Sequence, residues 1–295
     1  VALATISGDD GVLNKSIETK EMNEEATEEE LRRLTALEAV ANLENHQYTD
    51  INRDTAIIPA GFAVSHVEGE NIIKDGLVII DKNGNEFVWI SVIGEDIYTR
   101  NLTYEMENIS LNSYDYEGYL PSTIEDEKKV VTNAGGFYIA RYETGKEIIN
   151  NEYIPVSKKG ATVWCDITQE EAQKTSEAFI SNSNVVSALI SGTQWDVTME
   201  FVDNKGGFFV TEMSENRHIG YLTASGQNET DKACNIYDLE GNAWEYVAEK
   251  NTYSSSSPYN RRGSYYNGGY PASYRSSCNG NGSSSRSFRM VLYVM

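Results

Sequence analysis

A chain of 295 residues with 40% apolar residues is long enough to bury a core in one large domain or two smaller ones. Its formal charge of −21 and pI near 4.5 make nucleic acid a poor partner, because phosphate contacts need a basic face. Three widely spaced cysteines (Cys165, Cys234, Cys278) without a CxxC pair exclude a zinc or thioredoxin-type motif and allow at most one bridge, Cys165 to Cys234. Three separated histidines (His46, His66, His218) without an HExxH run exclude a histidine metal motif.

Residues 1–6 are apolar but too few to span a membrane or form a signal core. Residues 11–45 have helical periodicity, with Leu31, Leu34, Leu37 and Val40/Ala41 recurring every three to four positions as a core-facing stripe. Residues 45–55 are polar and read as a connector. The apolar runs 77–80 and 86–92 flank DKNGN at 81–85, which predicts a hairpin. Residues 98–129 are rich in Tyr, Asn and Glu and read as a surface insertion. Residues 136–144 read as a strand. Thr168 followed by Glu171 is a capping box that opens a helix through Ala172, Thr175, Ala178 and Phe179. A second helix begins near Ser191 and carries Trp195, Met199 and Val202 on one face. Beyond Gly207 the periodic signals fade, until the apolar run at 288–294 predicts a buried strand.

The last 45 residues contain no Lys, Asp or Glu but five arginines (Arg261, Arg262, Arg275, Arg286, Arg289), which leaves −26 on the preceding 250. Within them, residues 264–287 consist of eight Ser, four Tyr, four Gly, three Asn, two Arg and one Cys, plus Pro271 and Ala272. Such a composition normally marks a flexible linker. A linker does not usually end on a core strand. The same residue types build antibody paratopes, where Tyr gives rigid contact area and Ser, Gly and Asn give adaptable hydrogen bonds. The segment therefore reads as a binding surface on a folded scaffold. The alternative is an ordinary Tyr/Ser/Gly-rich loop. The expected ligand contacts are the tyrosines Tyr265, Tyr266, Tyr270 and Tyr274, with Asn267, Asn279, Asn281 and Cys278. The serines Ser264, Ser273, Ser276, Ser277, Ser283, Ser284, Ser285 and Ser287 complete the set. Gly263, Pro271, Ala272, Arg275, Phe288 and Arg289 are expected to hold the frame.

Several runs, in order, resemble an α+β fold of the formylglycine-generating-enzyme-type C-type lectin class. They are IPAGF at 58–62, GFYIARYE at 136–143, ITQEEA at 167–172, GTQWDV at 192–197, NIYDLEGNAWE at 235–245, RGSY at 262–265 and SFRM at 287–290. DLEGNAWE at 238–245 is the most specific of these. The resemblance implies a lectin-like domain over residues 51–295. It also implies a Ca²⁺ site made by the Asp238 and Glu245 side chains with main-chain oxygens of Leu239, Gly241 and Ala243, chemistry that suits a hard cation. The alternative is a structural turn with Trp244 in the core. Oxidases of this class use a cysteine pair, and here Asn267 and Ala272 stand at those positions. A thiolate is needed to bind copper, so the oxidase chemistry is not expected and the chain reads as non-enzymatic. Paired acids such as Glu143 or Asp166 with Glu171 carry no spacing that would define a glycosidase.

The tail also resembles the variable region of proteins diversified by retroelements, in which randomised template adenines convert AAC codons to Tyr, Ser, Gly, Cys or Arg codons. That implies a hypervariable patch over about 264–287. Residues 4–15 resemble the segment that follows the hydrophobic stem of a type IV pilin-like protein, which implies an N-terminal helical unit over residues 1–50 whose membrane half is missing. The expected partners are a protein or glycan on another cell or phage surface and pilus assembly subunits, with membrane contact only through the missing stem. The expected location is the cell surface, or alternatively a phage particle. An invariant adhesin of the same fold remains the alternative to a diversified one.

Overall fold

The computed structural model describes residues 9–101, 104, 114–115, 124–215, 219–251 and 254–295. The apolar start at 1–6 lies outside the described residues, as do the side chains of the stem-like run and much of the segment 98–129. The architecture is mixed α+β. Helix α1 spans Asp9–Ala41, and among the described residues no helix is long and apolar enough to cross a membrane. Strands β1 (His46–Thr49) and β2 (Thr55–Ile58) pair antiparallel, so the polar run expected to be a connector is a hairpin. Asp50 holds its turn by accepting from the Asn52 and Asp54 amides.

The core is a six-stranded antiparallel sheet. Its early strands are β3 (Phe62–Val64), β4 (Val78–Asp81) and β5 (Glu86–Ser91). The β4–β5 turn forms as expected, because Asp81 accepts from the Asn83 and Asn85 amides at 2.8 Å each and Gly84 takes the left-handed backbone. A short β6 (Tyr114–Asp115) precedes helix α2 (Ile124–Ala134) and strand β7 (Gly136–Ala140). Strands β8 (Gly145–Ile149), β9 (Glu152–Val156) and β10 (Thr162–Val163) make a separate three-stranded sheet. Helix α3 (Gln169–Phe179), strand β11 (Val185–Leu189) and helix α4 (Gly192–Val202) follow. Both helices begin on complete capping boxes, Thr168 with Glu171 and Ser191 with Gln194.

The tail contributes β12 (Trp244–Asn251), β13 (Tyr259–Arg262), β14 (Arg275–Cys278), β15 (Arg286–Phe288) and β16 (Met290–Val294). Strand β16 enters the core sheet, whose order is β11-β16-β7-β5-β4-β3, while β14-β13-β12-β15 form a second sheet with β6 beside β12. Both faces of the core sheet are covered, which is why its strands read as continuous apolar runs. Phe137, Ile139, Val291 and Tyr293 face α4 through Trp195 and Met199. Tyr138, Ala140, Met290 and Leu292 face α3 through Ala172.

Helix α1 packs differently from its sequence pattern. Leu34, Leu37 and Val40 are exposed, whereas Thr35 and Ala39 are buried against the sheet. Electrostatics sets this face. Arg32 lies 2.7 Å from Glu70 and 2.9 Å from Glu86, and buried Arg141 reaches the same carboxylates at 2.6 and 2.8 Å. Burial pushes Glu70 up, but Arg141 and the Arg32 and Ser65 hydrogen bonds overcome it and hold the carboxyl at about 2. A boundary near residue 50 therefore cuts through contacts that tie the end of α1 to the sheet. Nor is the Cys165–Cys234 bridge formed, since all three cysteines are free thiols.

The segment expected to be a polar insertion ends in a helix that reaches the core. Glu127 of α2 is buried and accepts from Ser191 at 2.7 Å, from Tyr293 at 3.2 Å and from Tyr98. Burial outweighs these three donors and raises Glu127 from 4.5 to about 7. A raised carboxyl favours the folded state fully below its unfolded value and loses that contribution as pH rises through the folded one. The window is therefore about pH 4.5 to 7, and the group's share is roughly 3 kcal/mol. Urea denaturation of the parent and of Glu127→Gln at about pH 5 and about pH 8 tests this. The parent should lose more stability than the variant across the interval. Parallel losses in the two proteins would contradict the assignment.

Candidate ligand-binding surface

The tail is held by buried charge. Asp196 of α4 is fully buried and receives Arg262 at 2.5 Å on one oxygen and Arg275 at 2.5 Å on the other, with Arg100 at 3.3 Å. Arg262 ends β13 and Arg275 begins β14, so one carboxylate clamps both ends of the loop 263–274. Burial pulls Arg262 down to about 10 against the opposing charge of Asp196. Trp195, next along α4, donates its indole N–H to the Ala272 carbonyl at 3.0 Å and lies under the Arg262 guanidinium. Gly263 takes a φ of +69°, and a Cβ there would sit 2.7 Å from the Leu239 carbonyl oxygen. Arg262 itself lies within β13, where its long side chain reaches Asp196.

A second clamp lies one strand away. Arg289 is fully buried, grips Glu245 through Nε at 2.9 Å and Nη2 at 2.5 Å, and donates to the carbonyls of Ala140 and Tyr237. The run 238–245 that carries the most specific resemblance is thus a structural knot. Asp238 and Asn242 take left-handed backbones. Glu143 accepts from the Asn242 side chain and the Ala243 amide, and the Asp238 carboxylate accepts from the Gly226 amide at 2.7 Å. The side-chain oxygens that the resemblance assigned to Ca²⁺ are engaged by protein groups. Among the described residues no group of three His, Cys, Asp or Glu side chains is arranged to hold a metal.

Over this frame the aromatic side chains gather on Trp244. Its ring centroid lies 5.9 Å from Tyr265, 5.4 Å from Tyr270 and 6.0 Å from Tyr274, and the Arg261 guanidinium sits 4.2 Å above it. Tyr274 and Tyr270 stack at 4.2 Å, and Tyr266 meets Tyr265 edge-on. Burial divides the expected contacts into two sets. Tyr270, Asn267, Asn279, Asn281 and Ser284 are exposed, and Tyr265, Tyr266, Ser277, Ser283 and Ser285 are half-buried. Ser264, Ser273, Tyr274, Ser276, Cys278 and Ser287 are buried. This second set belongs to the frame and not to the ligand face. Ser276 and Cys278 lie in β14, and Tyr274 fills the space beneath Tyr270. The pairing of β12 with β15 inserts Ser287 between strands.

The expected frame residues Ala272, Arg275, Phe288 and Arg289 are all buried. Asp196 was not singled out by sequence reasoning. A single acid inside the apolar turn TQWDV of a capped helix, in a chain whose tail holds only arginines, was the available signal. Residues 209–215 and 219–223, which border the tail, gave none.

No family model matches the chain, and no curated protein matches it. Among solved structures, one described as "Crystal Structure of CarF" aligns over 44% of this chain and 58% of that one, at 16% identity and a TM-score of 0.28. The alignment covers less than two thirds of that protein, and a likeness of this size carries no argument about fold or function.

The two sets differ in their expected tolerance of change. Asp196→Ala leaves Arg262 and Arg275 without their carboxylate, while Arg100 keeps Glu249 at 3.1 Å, and should lower stability by roughly 3–5 kcal/mol, the usual cost of leaving a buried charge without its partner. Asn267→Ala and Asn279→Ala should each change it by less than about 0.5 kcal/mol. Guanidinium denaturation of the three variants measures this. An Asp196→Ala protein as stable as its parent would contradict the clamp.

Proposed function

We propose that the chain is a non-enzymatic ligand-binding protein. In this reading a scaffold of the formylglycine-generating-enzyme-type C-type lectin class displays a hypervariable patch over about 264–287 that a diversity-generating retroelement rewrites. A pilin-like stem would place it at the cell surface, where a protein or glycan on another cell or phage would be its ligand. The observation that carries the reading is the division within the tail. A segment of linker-like composition is folded, Arg275 and Ala272 are buried, and Tyr270, Asn267, Asn279 and Asn281 face outward. A tolerant face on an intolerant frame is what repeated substitution requires.

The non-enzymatic reading rests on the thiol chemistry. Cys278 is buried, and burial raises its pKa, which disfavours the thiolate that copper binding needs. Asn267 is exposed and Ala272 buried at the positions of the cysteine pair. The alternative is an invariant adhesin of the same fold, on a cell or a phage particle.

Deep sequencing of the 3′ end of the gene across a population of its source separates the two. Diversification predicts substitutions within codons 264–287, concentrated at the outward positions, with Arg262, Gly263, Arg275 and Arg289 constant. A population uniform across those codons would sink the retroelement reading and leave the fixed adhesin.

A further inference from the structure

The loop 209–215 and the segment 219–223 run alongside the tail and place apolar side chains beside its tyrosines. Four contacts fix the position. The Ser273 amide donates to the Val210 carbonyl at 3.0 Å, and the Gly220 amide donates to the Tyr266 carbonyl at 2.7 Å. The Met213 sulfur lies 3.6 Å from where a Cβ on Gly269 would stand. Asn242, whose side chain accepts from the Thr223 amide at 2.9 Å, offers its carbonyl to the Tyr266 amide at 3.1 Å. The loop is therefore anchored to the same knot as the tail.

What this loop shows to solvent is unusual for a chain carrying −21. Phe209 is 45% exposed, Met213 52%, Ile219 57% and Tyr221 68%. Single exposed apolar side chains need no explanation, but four of them on segments bonded to Tyr266 and Ser273 or set against Gly269 put apolar area on one side of the tail, as at interaction sites.

We propose that residues 209–215 and 219–223 form a fixed apolar wall of the binding surface, and that the ligand is a protein rather than a glycan. This rests on the reading of the tail as a binding face. The chemistry of the wall selects the class. Met213 and Ile219 offer no hydrogen bond to a sugar hydroxyl, while a protein side chain inserted between them and Tyr270 removes apolar area from water on both sides. Met is also suited to partners that change, because its flexible thioether repacks at low cost. Charges of both signs accompany it, with Glu212 and Glu215 exposed on the loop and Arg261 and Arg286 half-buried in the tail. Apolar area accompanied by polar groups of both signs is the composition of a protein interface. Variation in the tail would then tune specificity while the wall supplies a constant share of the binding energy.

A phage-displayed library of random 12-residue peptides selected on the full chain, with a glycan array run beside it, tests the proposal. Selected peptides are measured against the parent, Met213→Glu, Ile219→Glu and Tyr270→Ala, each checked for an unchanged melting temperature. Tenfold or greater loss of binding on both wall variants and on Tyr270→Ala is the expected result. Peptides that need Tyr270 but ignore Met213 and Ile219 would overturn the wall and leave the tail reading intact. Peptides indifferent to all three would remove the tail reading as well. Glycan binding with no enriched peptide would overturn the assignment to a protein partner.

Discussion

One buried carboxylate, Asp196, receives three arginines, and the ordered tail depends on it. Residues 264–287 contain little that the hydrophobic effect can hold, since Pro271, Ala272, Cys278 and the tyrosine rings are their apolar groups. A segment of that kind stays disordered unless something other than apolar burial fixes it. Here the fixing groups are guanidinium groups at the ends of the loop, each reaching through one nitrogen an acid on a helix opened by a capping box. Arg289 with Glu245 repeats the device where the tail re-enters the core sheet. A buried pair of this sort contributes little net stability over an apolar one, but losing one partner is expensive. Its value lies in specifying a single geometry for a chain that would otherwise have many.

That arrangement separates two roles which a single residue list conflates. Arg262, Arg275, Arg289, Gly263, Ala272, Tyr274 and the buried serines maintain backbone position. Tyr270 and Tyr265 sit on that backbone against the Trp244 ring and Tyr266 against Tyr265, while Asn279 makes only local bonds, accepting from the Asn281 amide and Arg286. Trp244 joins the two sets, buried beneath the aromatic cluster and anchored in the knot at 238–245. Gly280 shows that composition alone does not tell which tail residues are free to change. It takes a φ of +73°, and a Cβ there would meet the Tyr259 ring at 2.2 Å.

Much of the scaffold was legible in the sequence. The DKNGN turn, the capping box at Thr168, the helix start near Ser191 and the apolar strand at the end are local signals with local causes, and each element lies where its residues predict. The failures share a different origin. Helix α1 turns Leu34, Leu37 and Val40 outward because Arg32 finds two buried carboxylates from distant strands, which no periodicity can announce. The second sheet was invisible because β13 and β14 are YNRR and RSSC, polar strands stabilised by ion pairs and backbone pairing and lacking apolar alternation. Glu127 read as surface and is buried, because its three hydroxyl donors come from separate parts of the chain. Within the candidate surface, sequence located the segment but not its sidedness. Six of the expected contacts point into the frame.

Saturation mutagenesis of residues 259–294, with folded molecules recovered by protease resistance on a display platform, measures the central claim directly. Tolerance should be high at Asn267, Tyr270, Asn279, Asn281 and Ser284 and nearly absent at Arg262, Gly263, Ala272, Arg275 and Arg289. A flat profile, tolerant or intolerant across the whole tail, would contradict the division into face and frame on which the account stands.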